Sequence, residues 1–321
     1  MPNKTKPIAL VFSDLHFHDF NQFNENDKRI KVTLGILEIL KKKRLPMLFA
    51  GDWFHEDQHI SNKLFDYSTH LGKMGLNVWG ISGNHDMSET NTIDNQSPSL
   101  FKSLATMTKG INCIDFELIT LTSHPDVCIT GIPYLTYNIG FEDYLNKIRK
   151  NGKLKKFKKK ILLIHTDLHG ARETDGRRID SVQNLDKDLY KLFKGFDLVL
   201  CGHIHKPQRI RPSIIMVGSP NQQKKSDMGG KFGYWEIYED MTTKFKKLTT
   251  PEFKFYDPTK DTINDYHYWV PINKMEDSDE SEIPRRFTNN ISRKKLAKRY
   301  CEEKGINDKK KIKALKQILD D

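Results

Sequence analysis

Short apolar runs alternate with amphipathic stretches along this chain, and the apolar runs stop abruptly at polar residues. Ile8 to Phe12 is apolar and partly β-branched, then gives way to Ser13-Asp14-Leu15-His16-Phe17-His18. Residues 27–42 carry apolar side chains at Ile30, Leu34, Leu37, Ile39 and Leu40, the spacing of an amphipathic helix. The next run, Pro46 to Ala50, ends in Gly51-Asp52-Trp53-Phe54-His55. This order predicts a β-α-β unit whose strands deliver polar side chains to one edge of an α/β sheet.

The pattern repeats downstream. A helix is predicted over 60–74 from Ile60, Leu64, Tyr67, Leu71 and Met74, and a strand over 76–81 that breaks into Ser82-Gly83-Asn84-His85-Asp86. Segment 97–107 reads as helix, 111–121 and 127–132 as short β runs, and 138–150 as a helix entering a lysine-rich run, 150–160. Strand 161–164 stops at His165-Thr166-Asp167-Leu168-His169-Gly170. After a helix at 185–193, strand 196–201 stops at Gly202-His203-Ile204-His205. Segments 210–217, 233–238 and 243–248 read as short antiparallel strands of a second sheet that closes over the first.

At 275–282 the composition turns acidic and loses all apolar content, which predicts a linker. Two basic helices are predicted near 291–303 and 308–319, the last with Ile312, Leu315, Ile318 and Leu319 on one face. The expected organisation is a catalytic domain over 1–235, a small cap or β extension over 236–274, an acidic linker over 275–284 and a helical tail over 285–321. A helical pair that small buries little by itself, so its apolar face docks either on its own chain or on a partner.

Charge changes this picture only modestly. A formal net charge of +11 favours a protein drawn to polyanions such as nucleic acid, without naming a partner. Cysteines 113, 128, 201 and 301 are scattered with no Cys-x-x-Cys, as expected of reduced thiols in a cytosol-like compartment. No apolar segment approaches the roughly 20 residues that span a bilayer, and residues 1–6 carry no leader pattern. No membrane anchor and no targeting segment are expected.

Chemistry concentrates at the strand ends. Side chains alternate along an extended segment, so Asp14 and His16 share a face about 7 Å apart, as do His203 and His205. Five strand ends carry Asp14 and His16, Asp52 and His55, Asn84 and His85, His165, and His203 and His205. Carboxylate and amide oxygens mixed with imidazoles suit manganese, iron or zinc, whereas an all-oxygen set would point to magnesium or calcium. Asp52 is the candidate bridge between two ions, held about 3.5–4 Å apart to clamp a phosphoryl group. The string His55-Glu56-Asp57-Gln58-His59 spells a zincin motif, but that motif needs a helix and here begins three residues after a strand-terminal Asp, so it reads as coincidence.

Asp-x-His, Gly-Asp-x-x-His, Gly-Asn-His-Asp, a strand-terminal His and Gly-His-x-His occur here in the order and spacing of the calcineurin-like metallophosphoesterase superfamily, which residues 7–220 resemble. The resemblance implies a four-layer β-sandwich flanked by helices, with small C-terminal cap strands and a helical tail. It implies one metal held by Asp14, His16, Asp52 and His205, and a second held by Asp52, Asn84, His165 and His203. His85 then protonates the leaving group or steadies the phosphate, with Asp86 orienting its ring. His169 remains an alternative to His165, although only His165 directly ends the apolar strand.

Within the superfamily the chain most resembles SbcD-type DNA-repair nucleases and their bacteriophage exonuclease-subunit relatives. The resemblance rests on Gly51-Asp52-Trp53-Phe54-His55, on His165 through Ala171, and on Gly202 through Lys206 followed by Gly218-Ser219-Pro220. It implies an active-site role for His55, two divalent ions, manganese foremost, and a homodimer. It also implies an SbcC-type coiled-coil ATPase partner bound through the C-terminal helices, and a cytoplasmic setting in a prokaryotic cell or virus-infected host. Arg172, Arg177 and Arg178 follow one ligand strand and Lys206, Arg209 and Arg211 another, which makes them candidate DNA contacts. The run Lys150 to Lys160 reads equally as a phosphate-backbone track or a solvated helix end. The leading expectation is a two-metal DNA nuclease in an SbcCD-like repair and recombination complex. Alternatives are a phosphatase or small-molecule phosphodiesterase of the same superfamily, or a non-catalytic scaffold, the last opposed by the absence of any inert residue at a ligand position.

Overall fold

Strand β1 (Pro7–Phe12) shows how the layers arise. Its alternate residues Leu10 and Phe12 join one apolar cluster, while Ile8, Ala9 and Val11 join another, so both faces are covered. The computed structural model describes residues 6–17, 29–55, 70–88, 91–94, 96–136, 141–150, 152–179, 189–257, 260–262 and 267–271. The chain divides into two units, 1–270 and 271–321, and all but one of the described residues belong to the first. The predicted acidic linker and helical tail, with Ile312, Leu315, Ile318 and Leu319, lie outside the described residues.

The first sheet places β1 beside β2 (Met47–Phe49), β3 (Val78–Gly80) and β4 (Ile111–Cys113), all parallel. On the other side of β1, the sheet is extended antiparallel by β11 (Gly233–Tyr238) and then β12 (Thr243–Lys247). The second sheet runs β5 (Leu118–Leu121), β6 (His124–Ile132), β7 (Lys159–His165), β8 (Leu198–Gly202), β10 (Ile214–Met216) and β9 (Gln208–Arg211). Strands β6, β7, β8 and β10 are parallel to one another. A separate pair, β13 (Phe253–Tyr256) and β14 (Tyr268–Pro271), forms a two-stranded sheet.

The two large sheets meet through one shared cluster, with Val11, Leu48 and Ala50 from the first against Ile161, Leu163, Leu198 and Leu200 from the second. On the outer face of the first sheet lie Ile36, Leu37 and Leu40 of helix Arg29–Lys41 and Phe101 and Leu104 of helix Leu100–Met107. Phe141 and Leu145 of helix Phe141–Lys150 pack on the outer face of the second. The result is an α-β-β-α sandwich, the four layers expected.

Three β readings are corrected. Segment 111–121 is not one run: β4 ends in the first sheet and β5 begins in the second, with the crossing turn at Phe116, whose φ is 59°. Segments 233–238 and 243–248 do not build the second sheet but continue the first, because β11 finds its ladder partner in β1. Segment 210–217 likewise breaks between β9 and β10, and β10 pairs in parallel with β8.

Candidate metal centre

Parallel strands in each sheet end on a common edge, and the loops that follow stay paired. Past β1 and β2, Asp14 N–H donates to Gly51 O (2.9 Å), His16 N–H to Asp52 O (3.1 Å) and Phe17 N–H to Trp53 O (2.7 Å). Asp14 and His16 are thereby fixed beside Asp52 and His55. Trp53, packed on Phe49 and Phe101, and Phe54, against Phe17, turn into the outer core and anchor this double loop. Non-glycine residues with positive φ are uncommon, and such strain collects at functional sites. Asp14 (53°), His16 (45°), Asp52 (62°) and His203 (94°) all adopt it.

Two glycines of the motifs are explained by close approach. A Cβ on Gly83 would collide with the Asp52 backbone N and carboxylate, and one on Gly202 with Ala50 O and Ser13 Oγ. Both are points where the ligand-bearing loops touch.

The side chains converge as follows. Asp52 Oδ2 lies 3.2 Å from His165 Nε2 and 3.8 Å from His16 Nε2, so one carboxylate oxygen faces imidazoles on both sides. Asn84 Oδ1 lies 3.1 Å from His165 Nε2 and 2.8 Å from His203 Nδ1. His16 Nε2 is 3.1 Å from His205 Nε2. Of three groups that could each hold a metal ion, two are Asp14, His16 and His205, and Asp52, His165 and His203, with the donor atoms of each group within 4.8 Å of one another. Nitrogen and carboxylate oxygen without thiolate fit a first-row divalent ion. His16, His55 and His85 form a third close group.

The electrostatics are those of a cation site. Burial raises the Asp52 carboxyl, but His165 and His85 more than offset it and hold it well below the usual carboxylate range. Burial lowers the His165 imidazole, yet Asp52 and then Asp14 lift it to about 9. Burial, reinforced by His85, keeps His16 well below its ordinary value, and burial raises Asp14 despite His165 and His205.

His85 stands at the rim. Its backbone N–H donates to Asp52 Oδ1 (2.9 Å), its Nδ1–H to His55 O (2.5 Å), and its ring stacks on His55 with centroids 5.4 Å apart. Nε2 is left as the nitrogen that can exchange a proton. The expected ring-orienting role of Asp86 is corrected: its carboxylate accepts from the backbone N–H groups of Asp52, Trp53, Phe54 and Gly83 at 2.8–3.2 Å, so it braces the loops, and His85 is oriented by the His55 carbonyl. Burial, with Asp52 adding, lifts the Asp86 carboxyl to about 7.

His165, not His169, faces Asp52; His169 instead meets Arg178 Nη2 at 3.2 Å. Arg172, Arg178, Arg209 and Arg211 line, with His169 and Gln208, a cavity of about 400 Å³. Arg177 and Lys206 are not part of its wall and contact Glu173 instead. Sequence reasoning missed two carboxylates. Asp167 Oδ1 is 3.2 Å from His203 Nε2, and Asp227 Oδ2 is 3.0 Å from His205 Nδ1. The spacing His165-x-Asp167 mirrors Asp14-x-His16 and was a usable signal; nothing local marks Asp227.

A sandwich with carboxylates, an amide and imidazoles gathered at the strand ends of both sheets defines a metallohydrolase-type centre. The chain belongs to the calcineurin-like phosphoesterase family, whose model matches residues 9–207. That family comprises metal-dependent phosphoester hydrolases with a dinuclear metal site. No curated protein matches the chain. Among solved structures, a candidate 5′-nucleotidase of Staphylococcus aureus in complex with alpha-ketoglutarate is 13% identical, with a TM-score of 0.45, over 74% of this chain and 52% of its own, so this chain spans about half its length. The protein TT1561 of Thermus thermophilus is 13% identical over 76% of this chain and 99% of its own, TM-score 0.45. The calcineurin-like phosphoesterase YfkN from Bacillus subtilis is 12% identical over 74% and 90%, TM-score 0.41.

Proposed function

We propose that the chain is a two-metal DNA nuclease and the catalytic subunit of an SbcCD-like repair complex. In this reading Asp14, His16 and His205 hold one ion, Asn84, His165 and His203 the other, and Asp52 both; manganese fits the mixed donors. When bound, the pair supplies Lewis-acid charge to a phosphoryl group and a nucleophile at neutral pH. His85 keeps Nδ1–H on the His55 carbonyl and delivers a proton from Nε2 to the leaving oxygen, which requires the doubly protonated ring.

The observation that carries the nuclease reading over a phosphatase is the placing of His55. Its Nδ1 lies 3.2 Å from His16 Nδ1 and its ring stacks on His85, so the Gly-Asp-x-x-His histidine stands within the site. The cavity supports a polyanionic substrate because Arg172, Arg178, Arg209 and Arg211 line it, and two hydrogen bonds between Arg172 and Gln208, which follow ligands His165 and His205 in the chain, tie its wall to both ligand loops. The test is hydrolysis of labelled DNA with manganese, beside a panel of nucleotides and phosphoproteins. DNA cleavage is expected; turnover confined to the panel, even with the ATPase partner present, would establish the phosphatase or small-molecule phosphodiesterase instead.

A further inference from the structure

Each of the four imidazoles read as ligands has one ring nitrogen turned to a partner outside the ligand set. For His165 the partner is Ala50 O, at 2.7 Å from Nδ1, and for His16 it is the His55 ring. The two histidines of Gly202-His203-Ile204-His205 instead stand on carboxylates. His203 turns Nδ1 to Asn84 and Nε2 to Asp167; His205 turns Nε2 to His16 and Nδ1 to Asp227.

We propose that Asp167 and Asp227 are positioning residues, one for each ion, that set the tautomer and ring orientation of His203 and His205 respectively. The inference rests on the metal reading given above. A neutral imidazole donates through one nitrogen and accepts through the other, whereas an ionised carboxylate only accepts. A carboxylate at the outer nitrogen therefore keeps N–H there and the lone pair pointing inward, and it raises the basicity of the ligand.

Asp227 is held in place for this role. It is fully buried, and it is itself held by N–H groups of Gln223 (2.9 Å) and Lys224 (3.2 Å) and by the Thr174 hydroxyl (3.3 Å). The Gln223 side chain in turn donates to Asp14 O and Leu15 O, both at 3.1 Å, so this loop braces the positive-φ Asp14 as well as His205. Asp167 follows β7 by two residues, so one strand end offers His165 directly and steadies His203 through Asp167.

The separation of the pair gives the test. Manganese is titrated calorimetrically into the chelator-stripped full chain, with ions per chain counted by elemental analysis, for wild type, Asp167→Asn and Asp227→Asn. Each variant is expected to weaken one of two binding steps by roughly 10–100-fold and spare the other. Added to His205→Ala, Asp227→Asn should cause no further loss, and Asp167→Asn none when added to His203→Ala, while the metal-free unfolding midpoint of Asp167→Asn stays at the wild-type value. Unchanged affinities, equal loss at both steps, or losses that add to those of the histidine variants overturn the proposal while leaving the metal reading intact. A wild type that takes up no ion overturns both. If Asp227→Asn does not fold, the Asp167 and His203 cycle decides the matter alone.

Discussion

His85 is the residue whose chemistry is most constrained by its neighbours. Its Nδ1–H is committed to the His55 carbonyl and its backbone N–H to Asp52, so it touches the cluster without being needed to hold an ion. His85→Asn should retain both ions in elemental analysis and slow phosphodiester hydrolysis by roughly 10²–10⁴-fold; an unaltered rate would remove it from proton transfer. His165 carries a second consequence. In the metal-free protein its imidazole is raised to about 9 by Asp52, so near neutrality it is protonated, and a metal ion must displace that proton. Raising the pH from 6 toward 9 should therefore tighten manganese binding, by up to about tenfold per pH unit for one proton released. Calorimetry in buffers of different ionisation heat would count the proton, and an affinity independent of pH would show that His165 is already neutral.

Among the elements, the strand ends carry the account. Gly202 closes β8 where the second sheet touches the loops of the first, and a methyl there meets Ala50 O and Ser13 Oγ. Gly202→Ala should destabilise the chain by about 1–3 kcal/mol, the range for overpacking a filled site, and weaken metal uptake with it; a denaturant midpoint equal to wild type would contradict that packing. These strand ends were legible because an apolar run that stops at Gly-Asp or at His is a local pattern. Asp227 was not, since it sits on a short turn far from any strand end and reaches His205 only through the path of the loop after β10. The break at Phe116 escaped for a related reason: β-forming residues continue through 111–121, and which sheet each half joins depends on partners distant in sequence, Val78 to Gly80 for β4 and Cys128 to Thr130 for β5. Membership of β11 in the first sheet is equally non-local, fixed by its pairing with β1.

The whole molecule places its candidate site between two sheets, with Asp14, His16, Asp52 and Asn84 from the first and His165, His203 and His205 from the second. A metal bound there would add to the contacts that already join the two sheets, the apolar layer between them and hydrogen bonds such as His203 N–H to Asp14 Oδ1 (3.1 Å). Among the described residues no helix is long and apolar enough to cross a membrane. The proposed partner is an SbcC-type ATPase engaged by the tail, with a homodimer formed through the early helices. Deleting residues 284–321 should leave metal content and the fold of the remainder unchanged while abolishing co-purification with the ATPase; undiminished co-purification would place the docking surface elsewhere. The central claim is that one carboxylate, Asp52, buried to 1% exposure, serves two ions at once. Counting bound manganese in wild type and Asp52→Asn tests it most directly: two ions per wild-type chain, with both lost or weakened together in the variant, is the predicted result, and loss of a single ion with the other bound at wild-type affinity would contradict it.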